Sequence, residues 1–128
     1  MNSQRTILII EDHASVRLLL ASILGKRYEV KTLTNGLDAL SWLNSGNFPD
    51  LIVMDVSMPK LSGIELLENI RSSGFFGDLP VIIISGSTSL QEQQHCLDLG
   101  VVAFLNKPFN PIDLKAIIEQ YFNQMVNA

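Results

Sequence analysis

Five short apolar runs recur along the chain: Ile7–Ile10, Tyr28–Leu33, Leu51–Met54, Val81–Ile84 and Val101–Leu105. Ile7–Ile10, Leu51–Met54 and Val81–Ile84 have no polar alternation and are built largely from Ile, Val and Leu. A strand of a parallel sheet reads this way when helices cover both of its faces and neither meets water. Tyr28–Leu33 alternates in part, with Glu29 and Lys31 set between Tyr28, Val30 and Leu33, and is expected at a sheet edge.

Helical patterns fill the gaps between these runs. Val16, Leu19, Leu20, Ile23 and Leu24 keep helical spacing, and Leu37, Leu40 and Leu43 form a shorter stripe. Ser62-Gly63-Ile64-Glu65 and Ser89-Leu90-Gln91-Glu92 each have the form of a capping box. There a hydroxyl and a carboxylate three residues apart satisfy backbone N–H groups at a helix start. Gly100 stands where the second of these helices should end. Asn110-Pro111-Ile112-Asp113 offers an N-cap, a proline at the first helical position and an acid in the first turn. Leu114, Ile117, Ile118, Tyr121 and Met125 then form an apolar stripe. Strand and helix thus alternate five times. That pattern predicts an α/β fold, (βα)5, with a doubly wound parallel sheet, right-handed crossovers and helices on both faces. No Pro/Gly/Ser-rich linker interrupts it, so residues 1–128 are expected to form one domain with no appended effector domain.

Composition agrees with one packed core. The chain has 128 residues, 47% of them hydrophobic and 17% charged, far from a disordered composition. Nine Lys and Arg against thirteen Asp and Glu leave a net charge of −4, which argues against direct nucleic-acid binding through a basic footprint. The lone Cys96 excludes an intrachain disulfide, and with only two His no zinc site is expected. No apolar run is long enough to cross a membrane. The start, Met1-Asn2-Ser3-Gln4-Arg5, leads into only four apolar residues, too few for a signal peptide. The expectation is a soluble, cytoplasmic protein.

In an open α/β sheet the ligand crevice lies beyond the carboxyl ends of the strands. Glu11-Asp12 follow the first run, Asp55 the third and Ser85 the fourth; Lys107 comes just past the fifth, after Asn106. Three carboxylates at close range repel unless a cation or proton neutralises them. An all-oxygen site beside a hydroxyl and a lysine suits Mg2+ bridging carboxylates to a phosphoryl group. An Asp in such a site can act as a nucleophile and form an aspartyl phosphate. A metal and Lys107 would then share the charge on the phosphoryl oxygens.

These residues, with Asp55-Val56-Ser57-Met58-Pro59, Gly63 and Lys107-Pro108-Phe109, closely resemble a response-regulator receiver domain over nearly the whole chain. The resemblance implies a flavodoxin-like sheet in the order 2-1-3-4-5. It implies that Asp55 accepts a phosphoryl group from a sensor histidine kinase. It implies Mg2+ held by Asp12, Asp55 and the Ser57 main-chain carbonyl, with Glu11 acting through a water. Lys107 would pair with the phosphoryl group, Ser85 would move to hydrogen-bond it, and Phe104 would turn as the aromatic switch. The Lys107–Pro108 bond is expected to be cis. The protein would catalyse only its own phosphorylation and dephosphorylation. A downstream protein would dock across the fourth helix, fifth strand and fifth helix, here roughly Ser89 to Met125. A histidine phosphotransfer protein is the alternative partner, if the chain is an intermediate shuttle. Ser85 stands for the commoner threonine and Phe104 for the often-seen tyrosine. The chemistry survives both changes, whereas the coupling to an output surface is the part they touch. Ser57 and Ser87 are small and are not expected to block an attacking water.

Several residues have plainer readings. His13 adjoins the acids, but hard Mg2+ prefers oxygen, so a partly exposed first-turn residue is expected. Cys96 reads as a small buried hydrophobe, His95 as solvent-facing and Trp42 as partly exposed. Phe75 and Phe76 are expected to pack over the core. Two other classes fit less well. A dehalogenase-type phosphatase needs a second acid two residues after its nucleophile, and that position is Ser57. A flavodoxin-like flavin or nucleotide binder needs a phosphate cradle, and Glu11-Asp12-His13-Ala14-Ser15 has no glycine.

Overall fold

The computed structural model describes residues 4–127. Met1, Asn2 and Ser3, which open the stretch read for a signal peptide, lie outside the described residues. Strands β1 (Thr6–Ile10), β2 (Glu29–Leu33), β3 (Leu51–Asp55), β4 (Val81–Ser85) and β5 (Ala103–Asn106) alternate with helices α1 (Ala14–Leu24), α2 (Gly36–Asn44), α3 (Gly63–Ser72), α4 (Leu90–Asp98) and α5 (Pro111–Asn127). The sheet is wholly parallel, in the order β2-β1-β3-β4-β5. The three uninterrupted apolar runs are its central strands, and the alternating run, β2, is an edge.

Successive side chains of a strand point to opposite faces, and two cores follow from that alternation. Leu8, Ile10, Ile52, Met54, Val81 and Ile83 pack with Leu43 of α2, Leu66, Leu67 and Ile70 of α3 and Cys96 of α4. Ile7, Ile9, Leu51, Val53, Ile82 and Ile84 pack with Leu20 and Leu24 of α1 and Leu114, Ile118 and Phe122 of α5. The sheet is therefore sandwiched between α2–α4 and α1–α5.

Both capping boxes are formed: Ser62 accepts from Glu65 N–H and Ser89 from Glu92 N–H, with each glutamate returning to the cap's own N–H. Asn110 Oδ1 accepts the Ile112 N–H where α5 begins. Buried Asn35 caps α2 by accepting from Asp38 N–H, and its amide donates to the Asp38 carboxylate at 2.9 Å. Gly100, at φ 76°, lets the chain leave α4 in a conformation that costs other residues energy.

Four apolar positions depart from the expected stripes. Leu19 and Leu37 are exposed, because Leu20 and Leu24 in α1, and Ala39 and Leu43 in α2, already fill the lines that face the sheet. Phe122 replaces Met125 as the buried end of the α5 stripe, continuing the four-residue spacing from Leu114 and Ile118. Phe76 packs on the core as expected, but Phe75 is 71% exposed. Its ring stacks outward in a T-shaped pair on Phe76 and Phe48. Cys96 is fully buried, and Trp42 is half-buried against the α2–α4 core.

At the end of the sheet where the strands begin, Arg71 at the foot of α3 ties the loops together. Its guanidinium donates to the carbonyls of Leu99, Gly77, Leu79 and Gly100 at 2.6–3.3 Å. Burial lowers its pKa, and Asp78 partly offsets that. A planar fork with five donors suits four carbonyls that no helix or strand satisfies. Arg71→Ala is expected to cost about 2–3 kcal/mol, since it leaves several carbonyls unpaired. Arg71→Lys should recover less than half of that loss. Urea unfolding of the three proteins measures both.

Candidate functional site

The carboxyl ends of β1, β3 and β5 converge on one lysine. Lys107, just past β5, donates through Nζ to Asp55 Oδ2 at 2.8 Å and to Glu11 Oε1 at 2.9 Å. Asp55 and Glu11 are almost fully buried, while Lys107 keeps a narrow contact with solvent. Burial alone would lower the Lys107 pKa from its ordinary 10.5. The hydrogen bonds that Lys107 donates to Asp55 and Glu11, with the charges of those two acids, outweigh burial and raise it.

Each carboxylate is also held by the backbone. Asp55 Oδ1 accepts from Ser57 N–H at 3.1 Å, and Glu11 Oε2 accepts from His13 N–H at 3.0 Å. The loop after β3 turns sharply: Leu61 N–H donates to the Pro59 carbonyl across Lys60, whose φ is 70°. That turn brings the chain back so that Gly63 N–H reaches the Val56 carbonyl at 2.8 Å. A Cβ on Gly63 would lie 2.3 Å from the Asp55 carbonyl oxygen, so glycine is needed for the approach. Arg17 secures the loop after β1 by donating to the main-chain carbonyls of Glu11 at 2.9 Å and Asp12 at 3.3 Å.

One ligand atom each from Glu11, Asp12, His13 and Asp55 lies within 4.8 Å of the others. Asp12 Oδ1 is buried without a hydrogen-bond partner. It sits 3.3 Å from His13 Nδ1, but off the line a hydrogen bond needs. A buried carboxylate oxygen left unpaired, in a site where three carboxylates face one ammonium, fits a hard divalent cation. Asp12 and Asp55 offer the side-chain oxygens for it. His13 is the N-cap of α1, one position before the expected first turn, and its ring is largely exposed beside Glu11 and Asp12.

Ser85 is buried at the end of β4, and its carbonyl accepts from Lys107 N–H at 2.8 Å. Its hydroxyl pairs with Thr88 rather than with the acidic cluster. The Lys107–Pro108 bond is cis. Phe104 lies within β5, half-buried against the core beneath α2–α4. His95 is exposed and pairs with Glu68 of α3 at 2.9 Å. Lys60, Arg17 and Thr88 were not anticipated from sequence: no Gly or Asn marks the positive φ at Lys60, and hydrogen bonds to main-chain carbonyls or to another hydroxyl leave no trace in a residue pattern.

A parallel sheet in this order, with carboxylates and a lysine at its carboxyl end, defines a flavodoxin-like domain with an acidic site. A family model of the response regulator receiver domain matches residues 7–119, and the chain belongs to that family. It is a receiver domain of the two-component type. It is 37% identical over 121 residues to the sensor histidine kinase RcsC of Salmonella typhi and of Escherichia coli, a match that covers 94% of this chain and 12% of those kinases. It is 38% identical over 104 residues to the response regulator MprA of a Mycobacterium species, covering 80% of this chain and 44% of that regulator. The chain thus spans about an eighth of the length of those kinases and less than half of that regulator. Its fold matches a CheY-like receiver domain protein of Methanospirillum hungatei with a TM-score of 0.88, at 27% identity and 98% coverage of both chains. For CheY4 of Vibrio cholerae the TM-score is 0.82 at 28% identity, over 92% of this chain and 98% of that one. Among the described residues no helix is long and apolar enough to cross a membrane.

Removing Lys107 leaves two buried carboxylates without their ammonium, so Lys107→Met in metal-free buffer should cost about 3 kcal/mol at neutral pH. A raised lysine pKa contributes stability that is complete below the unfolded value of 10.5 and is lost as pH rises through the folded one. The gap between wild type and Lys107→Met, read by urea unfolding, should therefore hold up to about pH 10 and narrow above it. Mg2+ at about ten times its dissociation constant should raise the melting temperature by about 3–6 °C. Asp12→Asn should abolish most of that rise in a thermal melt.

Proposed function

We propose that this domain is the phosphoacceptor of a two-component relay, with Asp55 as the residue that takes the phosphoryl group. The observation that carries the reading is Asp55 itself: a nearly buried carboxylate at a strand end, aligned by Ser57 N–H and Lys107, beside an unpaired Asp12 oxygen. An Asp55 carboxylate oxygen attacks the phosphorus of a phosphohistidine on a sensor kinase. The P–N bond breaks, its electron pair stays on the imidazole nitrogen, and the phosphoryl group becomes an acyl phosphate on Asp55. Mg2+ held by Asp12, Asp55 and the Ser57 carbonyl, with Glu11 acting through a water, would neutralise phosphoryl oxygen charge.

The chain's own groups do the rest. Lys107 is already hydrogen-bonded to Asp55 and is placed to pair with the incoming phosphoryl oxygens. The Ser57 N–H keeps the attacking carboxylate oriented, and Gly63 keeps the loop close enough to do so. Ser85 supplies a hydroxyl to the phosphoryl group, and its movement frees space into which Phe104 turns. The phosphoryl group would thereby bias a docking surface on α4, β5 and α5. A protein target reads that surface, and the chain catalyses no reaction beyond its own phosphorylation and hydrolysis. Ser57 and Ser87 are exposed and small, which supports hydrolysis that is neither blocked nor unusually slow. The absence of a basic footprint favours a protein target over direct nucleic-acid or membrane contact, and the free Cys96 suits the cytoplasm.

Similarity to one segment of sensor histidine kinases favours a second version, in which the domain passes its phosphoryl group on to a histidine phosphotransfer protein. The test is intact mass after incubation with a small phosphodonor. One phosphoryl adduct is expected, dependent on Mg2+ and absent from Asp55→Asn. An adduct that persists in Asp55→Asn, or no adduct at all, overturns the assignment. Transfer of label from the adduct to a histidine phosphotransfer protein decides between terminal receiver and shuttle.

A further inference from the structure

The side chain of Ser85 has a partner outside the acidic cluster. Ser85 is buried at the end of β4, and Thr88 Oγ1 donates to its Oγ at 2.9 Å. Among the described residues the Ser85 hydroxyl makes no hydrogen bond to Asp55, Glu11 or Lys107. Those groups are satisfied by one another and by the N–H groups of Ser57 and His13. Thr88 is half-buried and stands directly before Ser89, the N-cap of α4. One bond between two hydroxyls therefore links the end of β4 to the loop that enters α4.

We propose that Thr88 is a positioning residue that holds the Ser85 hydroxyl in the resting state. Ser85 Oγ accepts in that bond and its own O–H stays free to donate, so a phosphoryl group on Asp55 gains that O–H by drawing Oγ toward the acidic cluster and out of reach of Thr88. The proposal rests on the phosphoacceptor reading above. The exchange is favourable because a hydroxyl bonds a charged phosphoryl oxygen more strongly than it bonds another hydroxyl. The released Thr88 hydroxyl is half-exposed and finds water, whereas Ser85 is buried and does not. The Thr88 bond therefore subtracts from phosphoryl binding and sets how readily the site is occupied.

Thr88→Val keeps the side chain's shape and removes its hydroxyl. It leaves the buried Ser85 hydroxyl unpaired in the free protein and changes little in the occupied one, so occupation should become easier. The probe is beryllofluoride, which mimics a phosphoryl group, titrated into the full chain with saturating Mg2+ by calorimetry. Thr88→Val should bind it about three- to tenfold more tightly than wild type. Thr88→Ser keeps the hydroxyl and should bind as wild type does. Ser85→Ala should bind more weakly, and adding Thr88→Val to Ser85→Ala should change nothing further.

Unchanged or weaker binding by Thr88→Val overturns the proposal, since Thr88 would then move with Ser85 and support it. Equal tightening in the Ser85→Ala background overturns it as well, because the effect would not pass through Ser85. If Thr88→Val does not fold, judged by its thermal melt, Thr88→Ala carries the same comparison. Wild-type protein that binds no beryllofluoride and forms no Asp55 adduct overturns the phosphoacceptor reading, and the proposal with it. Wild-type binding that Thr88 substitutions leave untouched overturns the proposal alone.

Discussion

Glu11 and Asp55 are carboxylates that water scarcely reaches, and the ammonium of Lys107 lies between them, bonded to both at 2.8–2.9 Å. Neither acid is stable at that depth without a cation. A buried charge is tolerated when it is paired and its remaining lone pairs are taken up. The Ser57 and His13 N–H groups hold the second oxygen of each carboxylate and leave further lone pairs open. The bridge also fixes geometry, since it joins the ends of β1, β3 and the segment after β5, which are separated by 52 and 96 residues in sequence. The carboxyl end of the sheet is organised around that one nitrogen.

The pairing is incomplete by construction. One ammonium cannot compensate three carboxylates, and Asp12 Oδ1 is buried with no hydrogen bond. A site left electrostatically short in this way fits a divalent cation. The two ends of the sheet contrast in this respect. At the end where the strands begin, Arg71 hydrogen-bonds to neutral carbonyls and satisfies four of them. That end is closed, whereas the other leaves an acid and a hydroxyl pair open to rearrangement.

The Ser85–Thr88 pair, buried at Ser85 and half-buried at Thr88, lies at the same end of the sheet. It is a neutral contact beside a charged cluster and is the weaker of the two. The capping box of Ser89 and Glu92 holds the first turn of α4 without any contribution from Thr88.

The α/β alternation, the central strands, both capping boxes and the acidic site were legible in the residues themselves. Each is a local signal: an unbroken Ile/Val run, a Ser-x-x-Glu spacing, or a polar group at a strand's end. The edge position of β2 was legible for the same reason, since water on one side leaves alternating polar residues. Leu19, Leu37 and Phe75 were misread because helical spacing admits more than one apolar line. Only the sheet underneath decides which line is covered. Arg17, Lys60 and Thr88 were not legible, since their contacts run to carbonyls, to a positive φ and to another hydroxyl. By itself, then, the sequence determined the fold and the gathering of Glu11, Asp12, Asp55 and Lys107 at one end of the sheet, because those depend on which residue types sit at which spacing. The tertiary structure decided that Lys107 bridges Asp55 and Glu11, that an Asp12 oxygen stays unpaired and that Ser85 faces Thr88. Hydrogen-bond choices between segments far apart in the chain depend on distances of a few tenths of an ångström, which no linear pattern encodes.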